Sequence, residues 1–178
     1  MADIKSTAIK AGKYFRTFYR WVLLSAATGV ICGLVGSAFH LTVDWVTAVR
    51  GENPWLIFPL PAGGLAIAAI YRVTKMEGEG TNGIIDSIHD GGKVHIRLVP
   101  VIFISTAITH LVGGSAGREG AALQIGGGIG YRVGRLFRLD DKDMRLVTLC
   151  GMSAVFAALF GTPLTATIFA LEVISVGI

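Results

Sequence analysis

Arg118 and Glu119 stand side by side in Gly113–Gly130, GGSAGREGAALQIGGGIG, a glycine-rich stretch entered from the uncharged run LVPVIFISTAITHLV. A glycine-rich loop running into a helix start points unpaired N–H groups and a partial positive charge outward, which suits an anion. Glu119 falls in the first turn of that predicted helix. In its bland role it is simply an acidic residue stabilised by the helix dipole. An ionisable group within a membrane segment, however, costs about 2.5–3.5 kcal/mol even on lenient insertion scales, so it defaults to function. A carboxylate at a site built for anions competes with them when ionised and vacates the site when protonated. Glu119 is therefore a candidate gate. Two roles are open to Arg118: partner of Glu119, or stabiliser of the loop.

A second glycine-rich loop, Gly78-Glu-Gly-Thr-Asn-Gly83, spells the dinucleotide pattern GxGxxG. That pattern counts only between a strand and a helix. Here an apolar span ending in Arg72 precedes it and no alternating strand pattern lies nearby, so the nucleotide reading fails. What remains is a loop ahead of a short helix, IIDSIHD, again suited to an anion. A third stretch, GTPLTATIFALEVISVGI, carries Glu172 near its end, either solvated at the interface or functional. Cys32 and Cys150 lie in apolar runs without metal spacing and read as buried, reduced thiols. His110 reads as a core residue bonded to a neighbouring helix. With no HExxH pattern, an enzyme is disfavoured, and no metal or cofactor is implied.

The elements that must position these residues are membrane helices. Apolar residues make up 52% and charged residues 16% of the chain, with 24 glycines, the profile of closely packed spans. Trp21–Val43 and Leu98–Gly117 are long enough to cross, Pro54–Tyr71 is shorter, and Ala121–Tyr131 is too short alone. Leu146–Leu171 should break at Gly161–Pro163. Broken spans at membrane depth point to a transport site. The net charge of +4 forms no aromatic-interleaved patch, so nucleic acid is excluded and the basic residues act as topology signals. Lys5, Lys10, Lys13, Arg16 and Arg20 make residues 1–20 a cytoplasmic basic segment, an anchor and not a leader. Arg72, Lys75, Lys93 and Arg97 mark one further inner connection, and Arg132, Arg135, Arg138, Lys142 and Arg145 another. Glu119 then falls at the outer end of a short helix and Glu172 at the inner end of the last run. Gly29/Gly33, Gly113/Gly117 and Gly126/Gly130/Gly134 each place small residues on one helix face.

In this order, TNGI, GREG with QIGGGIG, and CGMSAVFAALFGTPLTATIFALEV resemble the CLC family of chloride channels and anion/proton antiporters, from Trp21 to the end of the chain. The resemblance implies an all-α membrane protein of inverted-repeat fold with broken and re-entrant helices, of which residues 21–178 cover the first half. It implies that Glu119 is the external gating glutamate, that Gly117, Arg118 and Gly120 form its loop, and that Thr81, Asn82, Gly83 and Ile84 form a second anion loop. Asn82 stands where chloride-selective members carry a serine, and the fluoride-exporting branch departs from serine there. Val173 stands where many antiporters carry an internal glutamate, with Glu172 just before it. Ala121 and Ile85 replace prolines of the family pattern.

Chloride or fluoride, with protons, are the implied ions. A homodimer in the lipid bilayer is the implied assembly, in a bacterial inner (plasma) membrane with the N-terminus in the cytoplasm. The chain reaches only the first half, which reads as a truncated or split gene product. The competing expectation is a non-transporting scaffold or regulatory partner of a full-length relative.

Overall fold

A computed structural model describes residues 2–80, 83–84 and 94–175, with side chains described for 12, 14–80, 83–84 and 94–172. Every regular element among them is a helix. The chain runs through α1 (Ala2–Glu52), a 3₁₀ turn (Pro54–Ile57), α2 (Leu60–Thr74), α3 (Leu98–Leu111), α4 (Glu119–Leu136), α5 (Asp141–Phe160) and α6 (Pro163–Ser175). Two stretches are long and apolar enough to cross a membrane, Tyr14–Glu52 and Asp141–Phe160, and three further apolar helices are shorter.

The basic segment and the first span are one continuous helix. No proline interrupts residues 2–52, and α1 runs 51 residues, roughly 75 Å at 1.5 Å per residue. By contrast, α5 and α6 are separated where the sequence requires it. Gly161 takes the left-handed conformation (φ 67°) that closes α5, and Pro163 opens α6, where its missing N–H costs nothing. Asp140 caps the start of α5, its Oδ1 accepting the Asp143 N–H at 2.8 Å.

The centre of the bundle is α4, buried at every position from Ala121 to Gly130. Its glycines let α5 approach until the two backbones touch. A Cβ at Gly130 would lie 2.5 Å from the Val147 carbonyl oxygen and 2.9 Å from Thr148 Cα, and one at Gly126 would fall onto the Gly151 carbonyl. The small-residue face expected at Gly126/Gly130/Gly134 is thus a helix contact, although Gly134 meets side-chain ends alone, the thioether of Met144 and a methyl of Leu139. Around it, α1 joins α3 through an edge-to-face pair of Phe39 and Phe103, centroids 5.3 Å apart. Between α5 and α6, Phe156 stacks on Phe169 and the Ser153 hydroxyl donates to the Ala166 carbonyl at 2.6 Å.

Three sequence expectations need correction. The third span ends at Leu111 and not at Gly117: Gly113 adopts φ 80°, and the Arg50 guanidinium lies against it. Gly113 and Gly117 therefore belong to a loop and share no helix face. Gly29 and Gly33 have no neighbour within 4 Å of where a Cβ would sit. His110 bonds its own helix, its Nδ1 lying 2.8 Å from the Thr106 carbonyl, the i−4 acceptor that a helical side chain reaches most easily.

Candidate functional site: the start of helix α4

The loop Val112–Arg118 delivers the chain from the end of α3 to the start of α4. The first backbone bond of α4 runs from the Ala122 N–H to the Arg118 carbonyl. The N–H groups of Glu119, Gly120 and Ala121 thus precede the helical ladder, as at any helix start. Arg118 occupies the N-cap position, and no side chain caps the helix there. An arginine has only donors and cannot satisfy N–H groups. These donors and the dipole of an 18-residue helix face the loop together.

Glu119 is exposed, and its side chain folds back over that loop. A Cβ added to Gly117 would lie 2.5 Å from Glu119 Oε2, so the absence of a side chain at 117 gives the carboxylate its place. Glu119 does not pair with its neighbour. The Arg118 guanidinium turns away to α1, where Nη1 donates to Asp44 Oδ1 at 2.7 Å. The other Asp44 oxygen faces His40 Nε2 at 3.3 Å, one turn earlier on α1. Of the two roles open to Arg118, the geometry gives it the loop-stabilising one. Exposed pairs of this kind contribute only about 0–1 kcal/mol to stability, so the consequence of this one lies in where it puts the guanidinium.

The second glycine-rich loop reaches the same helix further along. Ile84 is buried, and its Cγ2 sits where a Cβ on Gly127 would be, 2.7 Å away. Gly127 lies eight residues beyond Glu119, roughly 12 Å along the axis. Ile84 is thereby docked on α4, with Gly83 exposed beside it, whereas Thr81, Asn82 and Ile85 lie outside the described residues. Glu172 is exposed in the last turns of α6, with Val173 beside it outside the described side chains. Nothing in this geometry joins Glu172 to Glu119.

Asp44 and His40 were not singled out by the sequence reading. The only local signal was their i, i+4 spacing, since the partner that gives Asp44 its meaning lies 74 residues away. Gly113–Gly117, GGSAG, also spells the G-x-S-x-G of a nucleophile elbow, a motif that requires a strand-to-helix turn. Here it joins two helices, with Ser115 exposed. A separate groove of about 360 Å³ lies between α1, α5 and α6, lined by residues such as Gly29, Cys150, Pro163 and Thr167 and by no charged side chain. None of the residues at the α4 start contributes to it.

A buried, glycine-packed helix whose open start carries a carboxylate thus lies at the centre of this helical bundle. The family profile described as voltage gated chloride channel matches residues 62–178. The chain belongs to this family, the CLC proteins, whose members are integral membrane proteins. It is 40% identical over 160 residues to a chloride/fluoride channel protein of Pseudomonas syringae pv. tomato, covering 89% of this chain and 35% of the relative. It is 34% identical over 168 residues to the H(+)/Cl(-) exchange transporter ClcA of Cronobacter sakazakii, covering 85% of this chain and 36% of the relative.

Among solved structures, a CLC-type fluoride/proton antiporter aligns with a TM-score of 0.78 at 38% identity, over 84% of this chain and 38% of that one. A slow cyanobacterial Cl-/H+ antiporter shares the fold, with a TM-score of 0.64 at 23% identity, over 81% and 37% of the two chains. The chain thus spans little more than a third of the relatives it matches.

Proposed function

We propose that this chain supplies one part of the anion pathway of a CLC-type fluoride or chloride transporter, with the anion held at the start of α4 and Glu119 as its gate. The observation that carries the reading is the Glu119 carboxylate, folded over Gly117 beside the open N–H groups of α4 and free of any ion pair among the described residues. A halide and this carboxylate are drawn to the same dipole and donors. Occupation by one excludes the other, and protonation of Glu119 releases the site.

By the family resemblance, Thr81–Ile84 supply a second wall of the site, with Asn82 in the place of the serine found in chloride-selective members, and backbone N–H groups of Gly117–Gly120 complete the cradle. Two observations favour fluoride: the relative named as a chloride/fluoride channel and the fluoride/proton antiporter structure share more identity with this chain than the ClcA transporter and the cyanobacterial antiporter do. The N-terminus lies in the cytoplasm of a bacterial inner membrane, and the complete assembly is a homodimer.

The test is anion efflux from liposomes containing the transport-competent protein of which this chain is part, followed with fluoride and chloride electrodes across a pH series. Efflux from the parent protein is expected to depend on pH and to favour fluoride. Glu119→Ala is expected to remove the pH dependence and to uncouple anion from proton movement. Parent-like pH dependence in Glu119→Ala would exclude Glu119 as the gate. No anion flux from any assembly containing the chain would leave a non-transporting scaffold as the better description.

A further inference from the structure

We propose that Asp44 is a positioning residue for the gate: by claiming the Arg118 guanidinium, it keeps Glu119 without an ion pair and therefore able to leave and re-enter the anion site. The inference rests on the reading of Glu119 as the gate. Adjacent residues of opposite charge are ordinarily available to each other, and here they are separated by a partner from another helix. Arg118 Nη1 meets Asp44 Oδ1 at 2.7 Å, while Glu119 turns the other way, over Gly117. Arg118 is also the residue whose carbonyl accepts the first bond of α4, so the pair anchors the backbone from which Glu119 departs.

Among the described residues, the remaining charged and titratable groups at this end do not replace Asp44. His40 lies on the far oxygen of Asp44, at 3.3 Å, and holds that carboxylate from its own helix. Arg50 is engaged against Gly113 and with the Asn53 carbonyl. His110, at the end of α3, is bonded to its own helix, and Glu52 is exposed at the end of α1. Removal of the Asp44 charge leaves Arg118 with Glu119 as its nearest covalent neighbour of opposite charge. An opposite charge favours the ionised carboxylate. The gate then stays ionised and seated to lower pH, and the anion is excluded for longer.

The experiment compares the parent protein, Asp44→Asn, Asp44→Glu, Glu119→Gln and the Asp44→Asn/Glu119→Gln double variant, in the transport-competent protein reconstituted in liposomes. The expected result is an acid shift of the flux–pH profile of about one unit in Asp44→Asn, corresponding to about tenfold in proton activity. Asp44→Glu should restore the parent profile, and Asp44→Asn should add nothing once Glu119 is neutral.

A parent-like profile in Asp44→Asn, alongside an altered one in Glu119→Gln, overturns the inference and leaves the gate reading standing. So does an acid shift that persists at full size in the double variant, because a brace unrelated to Glu119 would act that way. A parent-like Glu119→Gln overturns both. Should Asp44→Asn elute as aggregate, Arg118→Gln is measured in its place. It deletes the guanidinium itself, and the inference then requires the acid shift to be absent.

Discussion

At the start of α4 two adjacent residues of opposite charge turn apart, Arg118 to Asp44 and Glu119 over Gly117, and the smallest residue type makes this possible. Any side chain at position 117 would occupy the place of the Glu119 carboxylate, so the proposed gate depends on Gly117 as well as on the glutamate. A second residue of this kind is Asp140, whose Oδ1 holds the Asp143 N–H at the start of α5. Asp140→Ala should lower the stability of the folded protein by about 1 kcal/mol, and Asp140→Ser should recover most of it. Unfolding midpoints in a detergent titration would measure both, and an unchanged midpoint for Asp140→Ala would mean that the cap is idle. Glu119 was legible in the sequence because its cost in an apolar setting, and its place after glycine and before a helical run, are local properties. The roles of Asp44 and His40 were not. A residue contacting another 74 positions away leaves no mark on the spacing around it.

Helices α4 and α5 meet backbone to backbone, which sets the tolerance of each glycine by what it faces. At Gly130 the obstruction is the Val147 carbonyl and the Thr148 Cα, neither of which can rotate aside; at Gly134 it is the flexible thioether of Met144. Gly130→Ala should therefore destabilise the protein by about 1–3 kcal/mol or more. Gly134→Ala should stay within about 1 kcal/mol of the parent, helped by the better helix propensity of alanine. Equal thermal unfolding midpoints for the two variants would contradict the backbone contact. The break between α5 and α6 was readable because glycine followed by proline forbids a continuous helix. The early end of α3 was not, since it depends on a left-handed Gly113 with Arg50 laid against it, a guanidinium brought from the far end of another helix. The joining of the basic segment to the first span was also hidden, because charge pattern divides a sequence where helix propensity does not.

Across the whole molecule, charged groups collect at two ends. His40, Asp44, Arg50, Arg118 and Glu119 mark one. Arg20, Asp143 and the basic residues Arg132, Arg135, Arg138 and Lys142 mark the other, with Arg20 and Asp143 3.8 Å apart. Lys and Arg concentrate on the cytoplasmic side of membrane proteins, which supports the proposal that the second end is the inner one. A cysteine at Asn53 should accordingly react with an impermeant maleimide applied to intact cells, and a cysteine at Arg138 only after the membrane is opened. The reverse pattern would invert the orientation. Both ends are clasped to α1, by Arg20–Asp143 and by Asp44–Arg118, 24 residues apart and so separated by roughly 36 Å of helix. That distance is close to a bilayer whose hydrocarbon core is about 30 Å thick. A helix fastened at two points in this way is a ruler of fixed length. Inserting one residue between the clasps would turn one of them by about 100° and advance it by about 1.5 Å, and inserting two whole turns would restore the angle while displacing it by about 10 Å. No insertion or deletion there keeps both pairs, so any change of length in this stretch breaks one of the two clasps.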